Sequence, residues 1–175
     1  MIKKIAIYYF IILGIEVYGQ EQIFEYSREG NVNAIAEILE TNKSGINMVN
    51  RNGYSPLILA IYYGQIDTAH FLLNQGADPD IQDSAGNTAL MGACFKGYEN
   101  MVQLLIEYKA NVNLKNYNDA TALIYAATFG HAEIVKELVK NNANIDIRDI
   151  RGNTALDHAR IQGNQEVILL LSMNN

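Results

Sequence analysis

The chain is poor in the residues that most small-domain chemistries require. Cys94 is the one cysteine among 175 residues, which excludes an intrachain disulfide and any multi-cysteine zinc site. Tryptophan is absent, and two prolines exclude a proline-rich linker. Thirteen lysines and arginines face nineteen acids, for a net charge of −6, and no basic run occurs; this argues against nucleic acid as a partner. No H-E-x-x-H, G-x-S-x-G, P-loop or dinucleotide glycine pattern is present. The composition that remains, 49% hydrophobic and 18% charged, is that of an acidic globular chain of about one domain.

The apolar run Ile5–Ile15 covers eleven residues, short of the roughly 20 that cross a bilayer. It follows Lys3 and Lys4 and precedes Val17-Tyr18-Gly19, the three-part layout of a secretory signal peptide over residues 1–19. An apolar first helix and a retained membrane anchor are the alternatives. Cleavage implies a periplasmic or secreted chain with no membrane contact; the free chain is expected to be monomeric. The lysine-led leader and the abundance of Asn and Ile point to a bacterial source. Asn42-Lys43-Ser44 is a glycosylation sequon, meaningful only in a eukaryotic secretory pathway.

Residues 20–175 repeat every 33 positions. Gly53-Tyr54-Ser55-Pro56-Leu57 returns as Gly86-Asn87-Thr88-Ala89-Leu90, as Asp119-Ala120-Thr121-Ala122-Leu123 and as Gly152-Asn153-Thr154-Ala155-Leu156. Gly64, Gly97, Gly130 and Gly163 keep the same step, as do Ala60, Ala93, Ala126 and Ala159, and Leu72, Leu105, Leu138 and Leu171. In each copy Ser55, Thr88, Thr121 or Thr154 is placed to cap a short helix, which ends at the in-phase glycine. A second helix follows, with apolar residues three and four apart, then a turn rich in Asp and Asn.

A period of this length with these phrases resembles the ankyrin repeat, best in Thr121-Ala122-Leu123-Ile124-Tyr125-Ala126-Ala127 followed by Gly130-His131-Ala132-Glu133-Ile134-Val135. The motif proline survives only at Pro56, and the motif histidine is replaced by Ile58, Met91, Ile124 and Asp157. The resemblance implies an all-α solenoid of helix–turn–helix units joined by hairpin-like loops. Five repeats are expected, at about 20–49, 50–82, 83–115, 116–148 and 149–175. The first carries one extra residue within Asn42–Gly45. In the last, Asp157, Arg160 and Ser172 enter positions that are apolar or small in the earlier full copies. Both outer copies therefore read as caps.

The remaining reactive residues take bland readings. Cys94 stands in the Ala127 slot and reads as a buried small hydrophobe. His131 lies where the ankyrin family commonly has histidine, and His70 reads as a surface or groove residue. Adjacent Asp157 and His158 point in different directions on a helix. Asp78, Asp80 and Asp83 suit turns better than calcium, for want of a loop offering six to eight oxygens. No catalytic residue, metal ligand or cofactor site is expected, and the chain does not read as an enzyme.

Function then falls to a surface. In proteins resembling this one, partners dock on hairpin tips and on the exposed ends of the first helices. Those places are Arg51, Asn52, Tyr54, Tyr62 and Tyr63; then Ser84, Asn87, Phe95 and Lys96; then Tyr117, Asn118, Thr128 and Phe129; and then Ile150, Arg151, Asn153, Ile161 and Gln162. Tyr54, Tyr62, Tyr63, Phe95, Tyr117 and Phe129 are expected to form an aromatic strip, the residue class that anchors interfaces. The expected function is an exported, non-enzymatic module that binds a protein as adaptor, inhibitor, immunity factor or assembly factor. A membrane-tethered structural repeat protein is the alternative, and a small-molecule or enzymatic scaffold a more distant one.

Overall fold

The structure, a computed structural model, describes residues 21–173. Residues 1–19, expected to form a signal peptide, lie outside the described residues. Residues 21–29 are helical (α1), followed by α2 (Val32–Thr41) and a 3-10 helix over Lys43–Asn47. Four further pairs follow: α3 (Pro56–Tyr62) with α4 (Ile66–Asn74), α5 (Ala89–Lys96) with α6 (Glu99–Glu107), α7 (Ala122–Phe129) with α8 (Ala132–Lys140), and α9 (Ala155–Gln162) with α10 (Gln165–Ser172). There is no strand among the described residues. The all-helical solenoid expected from the repeats is the fold observed.

The first helices begin where the hydroxyls recur. Ser55, Thr88, Thr121 and Thr154 accept from the N–H three residues on, at 3.2, 3.3, 3.4 and 3.2 Å. Each cap satisfies one of the N–H groups a helix start leaves unpaired. Only in the last copy is the cap reciprocal, with Asp157 accepting from the Thr154 backbone. In the first copy, the 3-10 helix Lys43–Asn47 occupies the place where later copies run a simple turn, and it takes up the extra residue.

The first helices stack directly on one another, α3 on α5, α5 on α7 and α7 on α9, and each packs against its own second helix. Ala60, Ala93, Ala126 and Ala159 are fully buried in this stack, where small side chains let neighbouring helices approach. One apolar core runs through every copy, from Ile23 to Leu171. No pair of helices hides its apolar face alone, so the copies stabilise each other by mutual burial. In the last copy, Arg160 and Ser172 are exposed and Asp157 is half-buried.

Three sets of polar ties reinforce the stack. The side chain of Asn50, Asp83, Asn116 and Asp149 accepts, in each hairpin, from the N–H groups two and four residues on, at 2.8–3.1 Å. The hairpins so formed bond to each other: Ser84 N–H to Asn52 O, Tyr117 N–H to Ala85 O and Ile150 N–H to Asn118 O, at 3.0–3.1 Å. On the far side, Asn47, Asp80 and Asn113 accept from the N–H of Asp78, Asn111 and Asn144 in the next copy.

The residue that opens each second helix supplies the third tie. Gln65 donates to Arg28 O at 2.8 Å, and Asn164 to Ala127 O and Thr128 O at 2.8 and 3.1 Å. His131 holds the same place and lays its ring on Gly97. A Cβ on Gly97 would stand 2.6 Å from His131 Cε1, and its φ of +74° is itself left-handed. That glycine is thus required twice, by its own helix exit and by the neighbour that covers it.

Candidate protein-binding face

The hairpins and the C-terminal ends of α3, α5 and α7 lie side by side across the copies, because both are in register with the 33-residue step. The Asx geometry of each hairpin turns its tip outward. Arg51, Asn52, Ser84, Tyr117, Asn118, Ile150 and Arg151 are all exposed there. Tyr117 and Ile150 are 72% and 63% exposed, unusual for large apolar side chains.

At the helix ends the structure brings rings together. Tyr62 and Phe95 are stacked, with centroids 6.4 Å apart and planes within 7°. Phe95 meets Phe129 edge to face at 4.8 Å, and Tyr62 meets Tyr63 edge to face at 5.9 Å. Both are favourable arrangements of ring quadrupoles. Lys96 places its Nζ 4.1 Å from the centre of the Tyr62 ring, a cation–π contact. These four rings stay 38–53% exposed while touching one another, so ring packing has not removed them from the surface.

The other expected residues stand elsewhere. Tyr117 sits apart on its hairpin tip, over Gly86. Tyr54 is half-buried against the core. Asn87 is committed inside the stack: its Oδ1 accepts from Asn116 Nδ2 at 2.7 Å and from the Tyr125 hydroxyl at 3.1 Å, and its Nδ2 donates to Asp83 Oδ2 at 3.3 Å. The contiguous strip is therefore Tyr63–Tyr62–Phe95–Phe129, flanked by separate hairpin tips. Thr128, Asn153, Ile161 and Gln162 complete the line toward the C-terminus, with Ile161 65% exposed.

Sequence reasoning passed over Tyr125. Its ring meets Phe95 edge to face at 6.5 Å, and its hydroxyl joins Asn116 and Asn87. Burial is the main reason its phenol titrates above the ordinary tyrosine range. The available signal was its phase, since Tyr125 lies 33 residues after Gly92 and 33 before His158. Between α3, α5 and the first two full hairpins lies a cavity of about 370 Å³, lined by Tyr54, Tyr62, Phe95, Tyr125, Gly92 and Asp83 among others.

The titratable residues away from the rings are used structurally. Cys94 is fully buried, and burial pushes its thiol far above the ordinary range, so it is an inert small hydrophobe. His70 is exposed beside Asn74 on α4. His158 Nε2 lies 2.8 Å from Asp149 Oδ2, whereas Asp157 faces the Thr154 cap, so the adjacent pair points to different partners. Burial raises the Asp149 carboxyl, but the Asn153 N–H, the His158 ring and the Arg151 N–H outweigh it and hold the group below the usual carboxylate range. Hydrogen bonds from Thr154 lower Asp157 likewise. Among the described residues no group of three His, Cys, Asp or Glu side chains is placed to hold a metal ion, and no helix is long and apolar enough to cross a membrane.

Comparison with known proteins finds ankyrin repeats along most of the described residues. Residues 23–116 match the family described as "Ankyrin repeats (3 copies)", and residues 105–159 match "Ankyrin repeats (many copies)". Ankyrin repeat and SAM domain-containing protein 6 of Rattus norvegicus is 38% identical over 74 residues, covering 42% of this chain and 8% of that protein. DNA-binding protein RFXANK of Homo sapiens is 34% identical over 68 residues, 39% of this chain and 26% of that protein. Putative ankyrin repeat protein FPV014 of Fowlpox virus is 38% identical over 69 residues, 39% of this chain and 16% of that protein. The chain thus spans about a quarter or less of the length of these relatives.

Proposed function

The chain belongs to the ankyrin repeat family, and from that premise we infer that it is a non-catalytic scaffold that captures one protein partner on the face carrying Tyr62, Tyr63, Phe95 and Phe129. Ankyrin repeats generally mediate protein–protein interaction. The observation that supports this face over the others is the run of exposed rings in mutual contact across three copies. Aromatic side chains of this kind offer large contact area at small entropic cost. The hairpin tips, with Arg51, Asn52, Tyr117, Asn118 and Arg151, supply a polar rim. A net charge of −6 favours a basic partner, through the rate and orientation of encounter more than through final affinity. The same charge argues against carrying the DNA named for the human relative over to this chain.

The test is affinity capture with the chain as bait, beside a variant carrying Tyr62→Ala, Phe95→Ala and Phe129→Ala. The variant loses the captured protein while its far-UV circular dichroism stays native; capture undiminished in the variant contradicts the reading. The role we propose is adaptor, inhibitor or assembly factor in an extracytoplasmic compartment, with residues 1–19 removed on export. Intact-mass spectrometry of the chain from its native source reads this directly. A mature start after Gly19 supports export, and a start at Met1 contradicts it.

A further inference from the structure

The repeat register exposes a position that carries a polar partner in two copies and none in two others. Nine residues after the hairpin Asx residue stand Leu59, Gly92, Tyr125 and His158, of which Tyr125 and His158 reach the Asx side chain and buried Leu59 has no polar group to offer. In the last copy this is His158, whose Nε2 lies 2.8 Å from Asp149 Oδ2. In the copy before, it is Tyr125, whose hydroxyl accepts from Asn116 Nδ2 at 3.1 Å. In the third copy the Asx residue is Asp83 and the position nine residues on is Gly92, which brings no side chain. Asp83 Oδ1 accepts from the N–H groups of Ala85 and Asn87 at 2.8 Å, but Oδ2 has only a long contact, 3.3 Å, from Asn87 Nδ2. Asp83 is buried, and its Oδ2 is thereby left with spare acceptor capacity.

Gly92 has no packing reason to be glycine. It lies inside α5, where glycine is among the worst helix formers. A Cβ there would meet nothing within 4 Å. The room it leaves belongs to the cavity of about 370 Å³ walled by Tyr62, Phe95 and Tyr125, with Asp83 at its polar side. That volume falls in the range of ligand sites, at its lower end. Arg28 also lines it, with its Nη1 held by Glu25 at 2.7 Å and its Nε buried without a hydrogen-bond partner.

We propose that this hollow receives an arginine side chain of the protein partner, whose guanidinium pairs with Asp83 Oδ2 and stacks among the rings of Tyr62, Phe95 and Tyr125. It takes the place that the imidazole of His158 and the phenol of Tyr125 hold in their own copies. Those two native occupants are planar groups with a polar edge. Guanidinium is the planar cation with the reach to enter from outside, and aromatic faces attract it. The contact of Lys96 with the Tyr62 ring shows the same attraction at the rim.

The inference rests on the reading of this face as protein-binding, but its test uses the free chain and is independent of partner capture. Amide shifts are followed in a ¹H–¹⁵N NMR titration with Nα-acetyl-arginine amide, and with the uncharged Nα-acetyl-norleucine amide as control. The arginine probe gives saturable shifts centred on Asp83, Asn87, Gly92 and Tyr125, and the norleucine probe does not. Asp83→Asn weakens the arginine probe about tenfold, the loss expected for a charge-assisted hydrogen bond. This variant folds, since the second and fourth copies carry asparagine at the same place, Asn50 and Asn116. Gly92→His fills the hollow from within, abolishes probe binding and raises the melting temperature. No saturable shift at these residues, equal binding of norleucine, or equal affinity in Asp83→Asn overturns the proposal. If the hollow fails while the alanine strip still abolishes capture, only the arginine assignment falls.

Discussion

Thr68 is wholly buried, and its hydroxyl has no hydrogen-bond partner. The matching positions in the next copies are Met101, Ile134 and Val167, all apolar, so the stack has no use for a polar group there. Valine has the same shape without the orphaned donor. Thr68→Val therefore stabilises the protein by about 1 kcal/mol, since a buried unsatisfied hydroxyl carries an uncompensated desolvation cost. Urea titration followed by circular dichroism measures this as a higher midpoint at unchanged slope; a lower midpoint means that the hydroxyl is used. Single residues elsewhere follow their phase closely. Cys94, Ala127 and Ile61 share one slot and are all fully buried, so chemistry as different as a thiol and a sec-butyl group is spent on packing alone.

At the scale of the elements, the ends of the first helices were legible and the ties between copies were not. Hydroxyl caps act within three residues and helix exits on left-handed glycine act within one, so local sequence carries both. The tie from Asn164 to Ala127 and Thr128 spans more than thirty residues, and that from Gln65 to Arg28 does the same. Gln65, Tyr98, His131 and Asn164 share a phase but no chemistry, so periodicity marks the place without revealing the bond. The Asx series Asn50, Asp83, Asn116 and Asp149 was visible only in part, as turn-forming residues, because its meaning lies in which N–H groups each side chain reaches.

The aromatic strip shows a different limit of the same kind. Tyr62 and Phe95 are in phase, but the residue in phase with them in the fourth copy is Thr128, and Phe129 is one position on, in the Lys96 slot. Phe129 still reaches Phe95, with ring centres 4.8 Å apart, because neighbouring first helices pack closely enough for a ring to cross between slots. Residue type marked Phe129 as a candidate, whereas its contact with Phe95 is a property of packing. Asn87 departs in the other direction: its place on the hairpin suggested a free tip, and a network with Asn116 and Tyr125 holds its side chain instead.

Over the whole molecule, the two faces of the stack differ in what they leave uncovered. The second helices present mainly charged and amide groups, among them Glu99, Gln103, Lys136 and Glu166, with Leu169 of α10 an exposed apolar exception. Their ion pairs, such as Lys136 with Glu133 and Glu166, are exposed pairs that contribute little to stability. The first helices and hairpins present the rings instead, on a scaffold whose copies are fixed to each other by a shared core and by hydrogen bonds at both ends. A preorganised surface of this kind binds without the entropic cost of ordering loops. Hydrogen–deuterium exchange of the captured complex against the free chain tests that assignment most directly. The account predicts slowed exchange at the hairpins around Asn52, Ala85 and Asn118 and at the ends of α3, α5 and α7, with α4, α6 and α8 unchanged; protection confined to α4, α6 and α8 contradicts it.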